Sequence, residues 1–211
     1  RNCRVDEHIA LLNDGDSSFL DSTLGAMEGN QDGVGVALET LHEDLNTDDI
    51  LLLNDGMITL KVDSIKGTRI HTIVVNGGIL SDHKGINLKG GGLSAPALTD
   101  IDKKNIKLAA ELNADFLAVS FVRSAADVTE ARRLFEEAGG TGLIVAKIER
   151  VVAVLNFDSI IDASDVFMVA SGDLGVEMGY AELTGIQKDL IRKTRKMHKI
   201  VITATQMMES M

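Results

Sequence analysis

The sequence has few cysteine, proline or aromatic residues, and each shortage excludes a class of protein. Its 211 residues include one cysteine, one proline and no tryptophan, and 3% are aromatic. Because Cys3 has no partner for an internal disulfide, we expect a reducing compartment, the cytoplasm. No apolar run approaches the roughly 20 residues that span a bilayer, so we predict no membrane partner. The first eight residues also lack the apolar segment of a signal peptide.

Positive charge is scarce as well, and the shortage is concentrated in the first half of the chain. The formal net charge is −11. Residues 1–88 contain 6 Lys or Arg against 15 Asp or Glu, whereas residues 89–211 contain 15 against 17. An acidic chain with few aromatic residues argues against nucleic acid as a partner. The apolar content of 45% is that of a globular protein. We interpret the excess of acidic residues in the first half as a solvated surface.

Residues 1–88 have the sequence pattern of a small all-β domain. Short apolar runs such as SSFLD and DILLL alternate with turn residues. The pairs Asp55-Gly56 and Lys66-Gly67 separate alternating apolar segments, which predicts two hairpins. The spacing of the turns favours a small barrel or a sandwich.

From Pro96 onward the pattern changes to α/β. Four apolar runs predict strands, and they are separated by segments with helical periodicity: 116–121, 143–148, 166–170 and 200–205. This alternation predicts βαβ units and a parallel sheet, in either a TIM barrel or a doubly wound fold. A linker rich in glycine, 81–98, separates the halves, and we predict domains at 1–88 and 89–211.

Polar side chains follow the predicted parallel strands where functional groups gather in both α/β folds. The second strand ends in Lys147-Ile148-Glu149, and residues two apart on a strand point to the same side. The third strand runs into Ser-Gly-Asp-Leu-Gly, which places Asp173 at the next strand end. Two carboxylates from neighbouring strand ends suit Mg²⁺. Lys147 adds a positive charge for a phosphate or an enolate oxygen.

Three further positions extend this candidate site. Thr205 offers a hydroxyl after the fourth strand, and the glycines beside Asp173, including Gly172, could expose backbone amides to an anion. Each motif alone also fits a structural role. Lys147 and Glu149 could form an ion pair between strands, Asp173 could cap a helix, and Lys84 could be a solvated lysine of the linker.

Five segments resemble pyruvate kinase, in the order in which that family carries them. The first segment, KGINLKGGGLSAPALTDID (84–102), resembles the part of the family's chain that leaves its small β domain. The other four segments resemble successive strands of the family's barrel: ADFLAVSFVR (114–123), IVAKIE (144–149), DVFMVASGDLGVE (165–177) and VITATQMMESM (201–211). Residues 1–88 are similar, more loosely, to the lid that the family inserts in its barrel. The resemblance implies an α/β fold, a partial (β/α)8 TIM barrel (about strands 3–6) with an inserted small all-β barrel domain.

The resemblance also implies an activity and a set of roles. The family transfers a phosphoryl group from phosphoenolpyruvate to ADP, giving pyruvate and ATP, in the last step of glycolysis. It needs Mg²⁺ or Mn²⁺ and often K⁺, whose ligands would lie outside this chain, and it commonly forms homotetramers. By resemblance, Glu149 and Asp173 are the metal ligands, and Lys147 stabilises the transferring phosphoryl group and the enolate.

The remaining implied roles concern the substrate and the nucleotide. By resemblance, Thr205 lies beside the substrate in the proton relay to the enolate carbon. The amides of Gly172 and Asp173 hold the substrate carboxylate, and Lys84 reaches from the lid toward the nucleotide phosphates.

The sequence departs from the family's pattern at Ser171, where the family usually has arginine. Because a cation near the site is lost, we expect weaker function. The resemblance also implies barrel strands before and after this chain, so we expect a fragment that is inactive by itself. Two alternatives stay open: a Mg²⁺-dependent aldolase or lyase of the phosphoenolpyruvate type, and an inactive remnant.

Overall fold

The computed structural model describes residues 3–4, 9–25, 29–30 and 32–204. Contacts between residues divide the chain into two compact units, Arg1–Ala95 and Pro96–Met211. The division falls inside the glycine-rich segment that the sequence predicts to be a linker. Each unit has its own hydrophobic core.

The first unit is built almost entirely of short strands. Its described elements are β1 (Cys3–Arg4), β2 (Ile9–Leu12), β3 (Ser17–Asp21), β4 (Gly33–Val36), α1 (Leu41–Asp44), β5 (Ile50–Leu53), β6 (Ile58–Lys66), β7 (Arg69–Asn76), β8 (Gly78–Ser81) and β9 (Ile86–Leu88). Seven strands form one sheet in the order β1-β4-β3-β7-β6-β5-β9, and β2 pairs with β8. Hydrogen bonds between described residues do not join β1 to β9, so the small barrel stays a prediction.

Both predicted hairpins are confirmed. Strands β5 and β6 pair antiparallel around Asn54, Asp55 and Gly56, all of which have positive φ angles. Strands β6 and β7 pair across Gly67, whose φ angle is 61°. Glycine adopts this left-handed conformation without the steric cost that a side chain would add. The alternation of buried and exposed residues along β6 and β7 places one face of each strand in the core.

The second unit alternates strands and helices. Its described elements are α2 (Asp100–Glu111), β10 (Phe116–Val119), α3 (Ala125–Glu137), β11 (Leu143–Ile148), α4 (Val151–Leu155), α5 (Phe157–Ala163), β12 (Val166–Ala170), α6 (Ser171–Met178), α7 (Tyr180–Lys196) and β13 (Ile200–Ala204). The strands form a parallel sheet in the order β10-β11-β12-β13. This confirms the predicted βαβ units and shows an α/β fold.

Two helices of this unit, α2 and α3, begin at side-chain caps. Thr99 and Asp102 form a reciprocal capping box at the start of α2, and Ser124 and Asp127 form another at the start of α3. Each box satisfies backbone amides that the first helical turn leaves without an intrahelical partner. Helix α3 is followed by Gly139, with a φ angle of 88°, as expected for a glycine stop.

The two faces of the parallel sheet have different surroundings. One face packs against the helices in a core that includes Ile144, Ala146, Phe167 and Val169. The opposite face carries Lys147 and the side chains that lie in register beside it, and several of these are large exposed hydrophobics: Phe116, Leu143, Ile200 and Ile202. Sequential strand order with helices on one face is typical of a barrel, whereas a doubly wound sheet has helices on both faces.

An ion pair anchors this sheet at the end opposite to Lys147. Arg132 Nη2 donates to Asp165 Oδ2 at 2.7 Å, and the same carboxylate oxygen accepts a hydrogen bond from the Ile144 amide at 2.8 Å. Partial burial by itself raises the pKa of Asp165, but the Ile144 amide and the Arg132 guanidinium outweigh it and hold the pKa below its usual range. The ionised carboxylate therefore stabilises the folded state.

We expect Asp165→Asn to lower the free energy of unfolding at pH 7 by about 1.5–3 kcal/mol, the range for a hydrogen bond to a charged group. Because the folded pKa of Asp165 is depressed, its contribution is present above the unfolded pKa and is lost as pH falls through the folded pKa. Denaturant unfolding at pH 7 and at about pH 2, which is below the unfolded pKa of an aspartate, measures this loss. A stability difference between the two proteins that stays constant with pH would contradict it.

Among the described residues, no helix is both long and apolar enough to cross a bilayer.

Candidate active site

Lys147 and Glu149 lie together at the carboxyl end of β11. The Lys147 Nζ is 2.6 Å from Glu149 Oε1, and it donates a hydrogen bond to Ser120 Oγ at 2.9 Å. Ser120 directly follows β10, so the lysine bridges two neighbouring strand ends. The prediction that Lys147 and Glu149 point to the same side is confirmed. These contacts hold a positive charge in one place where the carboxyl ends of the parallel strands meet, the edge of the sheet that we call the rim.

Glu149 is held by its other oxygen as well. Its Oε2 accepts a hydrogen bond from the Phe121 amide at 2.7 Å, and its side chain is only 2% exposed. Phe121 has a φ angle of 54°, in the left-handed region, so the backbone departs from an extended conformation directly after Ser120. A carboxylate oxygen has two lone pairs, so each oxygen of Glu149 retains one acceptor position beyond the bond it makes.

Asp173 lies in a helix that begins without any connecting turn. The sequence suggests a strand that presents Asp173 from a glycine turn, but β12 ends at Ala170 and α6 begins at Ser171. Asp173 and the amides of Gly172 and Asp173 therefore belong to the first turn of α6. The positive end of a helix dipole favours anions there. The anion-binding potential assigned to the glycine turn is thus a property of the start of a helix.

One of the two glycines beside Asp173 has a packing role instead. A Cβ atom on Gly175 would lie 2.5 Å from the Tyr180 ring and 3.2 Å from Leu183 Cδ2. Gly175 thus allows α6 to pack closely against the first turns of α7. No sequence pattern distinguishes this packing role from exposure of backbone amides.

Ser171 connects two strand ends. Its Oγ donates to the Ala204 carbonyl at 2.9 Å, which links the start of α6 to the end of β13. Ser171 is therefore part of the hydrogen-bonded framework of the rim.

Sequence reasoning missed a buried ion pair beside these residues. Arg150 Nε lies 3.6 Å from Glu177 Oε1, and Glu177 Oε2 accepts a hydrogen bond from the Val151 amide at 2.9 Å. The two side chains are 5% and 4% exposed. The sequence spacing could have indicated that Glu177 lies near the site, because Glu177 follows Asp173 by four residues, about one turn of a helix. It does not indicate the contact with Arg150.

Burial raises the pKa of Glu177 above the usual value of a glutamate. The Val151 amide and the Arg150 guanidinium lower this pKa, whereas the nearby carboxylate of Asp173 raises it further. Asp173 precedes Glu177 by four residues in α6, so the two carboxylates lie on the same side of that helix.

Two further predicted site residues remain predictions. Lys84 is partly buried in the first unit, between β8 and β9. Thr205 lies outside the described residues, and Ala204, the last residue of β13, is the end of what the structure describes.

The donor set at the rim fits a hard divalent cation. Glu149 and Asp173 come from the ends of adjacent parallel strands, and the acceptor positions left on Glu149 can serve a metal. Within residues 3–4, 9–25, 29–30 and 32–204, no group of three or more His, Cys, Asp or Glu side chains could hold a metal ion. A pair of carboxylates is sufficient for Mg²⁺, which usually keeps several waters and substrate oxygens as ligands.

Comparisons with known proteins agree with this chemistry. The family description "Pyruvate kinase, barrel domain" matches residues 5–211. The chain is 56% identical to a pyruvate kinase of Buchnera aphidicola subsp. Acyrthosiphon pisum over 204 residues, which cover 95% of this chain and 42% of the relative. It is 55% identical to a pyruvate kinase of Haemophilus influenzae over 95% of this chain and 43% of the relative.

A third relative shows the same extent of similarity. The chain is 54% identical to pyruvate kinase II of Salmonella typhimurium over 97% of this chain and 43% of that protein. The chain thus spans less than half the length of these curated relatives. The α/β fold of the second unit, with four parallel strands of a half-barrel sheet, is consistent with the match to the barrel domain. The chain belongs to the pyruvate kinase family.

Proposed function

We propose that the protein that carries this chain transfers a phosphoryl group from phosphoenolpyruvate to ADP, the last step of glycolysis. The observation that carries the proposal is the position of Lys147. Its ammonium group is held between Ser120 and Glu149 at one rim of the sheet, next to the strand whose end bears Asp173. Membership of the pyruvate kinase family supports the same reaction.

The reaction breaks the bond between phosphorus and the enol oxygen of phosphoenolpyruvate and forms a bond from phosphorus to a β-phosphate oxygen of ADP. The enolate that leaves takes up a proton at its terminal carbon and becomes pyruvate. Phosphoryl transfer of this kind depends on positioning and on neutralising charge. Lys147 fits that task because its hydrogen bond to Ser120 and its ion pair with Glu149 fix the place of its positive charge.

Glu149 and Asp173 would hold the divalent cation, Mg²⁺ or Mn²⁺. When bound, this cation supplies positive charge that neutralises phosphoryl oxygens and orients the substrate. The first turn of α6, with the amides of Gly172 and Asp173, would hold the substrate carboxylate. Thr205 would pass the proton to the enolate carbon.

The first unit has a separate task in this proposal. Residues 1–88 would form the lid, and residues 89–211 would form part of the barrel. Lys84 would reach the nucleotide phosphates from the lid. A lid that excludes water matters because water competes with ADP as the phosphoryl acceptor.

The wider setting follows from the family. We expect a cytoplasmic protein that is a homotetramer at full length and that often requires K⁺. The K⁺ ligands would lie outside the residues of this chain.

An assay of pyruvate formation tests the proposed function against both alternatives. We expect the protein that carries this chain to form pyruvate and ATP from phosphoenolpyruvate, with strict dependence on ADP and Mg²⁺. Cleavage or condensation of carbon–carbon bonds without ADP would favour an aldolase or lyase. The inactive remnant would show no turnover and no Mg²⁺-dependent binding of oxalate, which mimics the enolate.

Ser171 supplies a prediction within this function. We expect Ser171→Arg to raise turnover relative to Ser171→Ala, which removes the same hydrogen bond to Ala204 without adding charge. An arginine at position 171 would add positive charge beside the proposed phosphoryl site, and we expect an increase of about tenfold in the turnover number. Equal turnover in the two variants would contradict a role for positive charge at position 171.

A further inference from the structure

We propose that the buried Arg150–Glu177 ion pair is a positioning device that fixes the spacing between Glu149 and Asp173. The inference rests on the proposed function, because it takes these two carboxylates as the metal ligands. Neither Arg150 nor Glu177 would touch the substrate. Their effect would be exerted through the two residues that do hold the cation.

Glu177 is attached to the segment after β11 at two points. Its Oε1 faces Arg150 Nε at 3.6 Å, and its Oε2 accepts the Val151 amide at 2.9 Å. Val151 is the first residue of α4, and Arg150 is its N-terminal cap. The carboxylate therefore joins the start of α4 to the second turn of α6.

Each end of this connection lies next to a proposed ligand. Arg150 is bonded directly to Glu149 along the chain. Glu177 follows Asp173 by four residues in α6, and residues four apart lie on the same side of a helix. The pair therefore links the two carboxylates by a short route that is separate from the pairing of β11 with β12.

Burial makes the connection stiff. The Arg150 and Glu177 side chains are 5% and 4% exposed, so breaking the pair would remove a close counter-charge from each of two buried side chains. Exposed pairs on the same unit, such as Arg192 with Asp189, have no such constraint. A rigid second connection is what a metal site needs, because metal affinity depends on the spacing of ligands that are already in place.

Binding of Mn²⁺, followed by electron paramagnetic resonance in the protein that carries this chain, tests the inference. We expect Glu177→Gln to raise the dissociation constant for Mn²⁺ by about 10–100-fold, the range for residues that orient metal ligands. Glutamine keeps the size of the side chain and an oxygen that can accept the Val151 amide. It loses the charge that holds Arg150.

Asp165→Asn is the matched control. Asp165 also pairs with an arginine and accepts a backbone amide, but it does so at the opposite end of the strands. If the Arg150–Glu177 pair contributes only to stability, both variants will have lower thermal stability but the Mn²⁺ affinity of the unmodified protein. That result would overturn the inference. Equal loss of Mn²⁺ affinity in both variants would also overturn it.

A double variant, Arg150→Met with Glu177→Leu, separates packing from positioning. Apolar side chains of similar volume can replace a buried ion pair without loss of stability. We expect this variant to unfold at the temperature of the unmodified protein or above, and still to bind Mn²⁺ about tenfold more weakly or worse. Unmodified Mn²⁺ affinity in the double variant would overturn the inference alone. Absence of Mn²⁺ binding in the unmodified protein would overturn the proposed function and the inference with it.

Discussion

We expect replacement of Lys147 with methionine to lower the turnover number for the proposed phosphoryl transfer by about 10²–10³-fold, the range for removing one charge-stabilising group from an active site. Methionine keeps an unbranched chain of similar length, so the contacts of the lysine stem are largely preserved. What is lost is the ammonium group that Ser120 and Glu149 hold at the rim. The measurement is ADP-dependent formation of pyruvate at saturating phosphoenolpyruvate.

The control for this variant is Lys107→Met, which removes an exposed lysine from α2. We expect it to keep the turnover number of the unmodified protein. Lys147→Met also leaves Glu149 without its cationic partner, so its thermal unfolding is measured beside its activity. Loss of activity that matches a loss of folded protein would contradict a catalytic role for Lys147.

Asp173→Asn is the second variant with a large expected effect. We expect activity at a fixed, physiological Mg²⁺ concentration to fall by about 10²-fold or more. The reason is that a neutral amide binds Mg²⁺ more weakly than the negatively charged carboxylate of the proposed site. Raising the Mg²⁺ concentration restores part of the activity. The midpoint of the Mg²⁺ titration measures this shift.

Thermal stability separates a metal ligand from a structural residue. Asp173 is near the buried carboxylate of Glu177, and that proximity raises the pKa of Glu177. Removing the Asp173 charge therefore relieves repulsion, and we expect unfolding at the same temperature or slightly higher. Asp189→Asn, which changes an exposed carboxylate on α7, serves as the control. A parallel fall in folding and activity for Asp173→Asn would contradict the metal-ligand role.

Much of the second unit follows from the sequence because its elements are set by local chemistry. The runs FLAV, LIVAKI, VFMVA and IVITA are apolar enough to be buried strands, and all four occur in the parallel sheet. Thr99 and Ser124 start helices because each is followed three residues later by an aspartate that completes a capping box. Lys147 and Glu149 meet because alternate residues on a strand share a side.

Features that depend on packing between elements could not be predicted in this way. The glycines around Asp173 are typical of a turn, but α6 begins at Ser171 and packs closely against α7, with Gly175 beside Tyr180. The Arg150–Glu177 pair joins segments 27 residues apart along the chain, and no local pattern reports such a contact. The role of Ser171 depends on where β13 ends, since its partner is the Ala204 carbonyl.

Glu149 and Asp173 are the proposed ligands of one divalent cation at the carboxyl ends of β11 and β12. Anomalous diffraction from crystals of the protein that carries this chain, grown with Mn²⁺ and oxalate, tests this assignment. We expect one strong Mn²⁺ peak coordinated by both carboxylates, with oxalate bound to the same ion and Lys147 beside it. A Mn²⁺ peak held by other carboxylates, or oxalate bound away from Lys147, would show that the assignment is wrong.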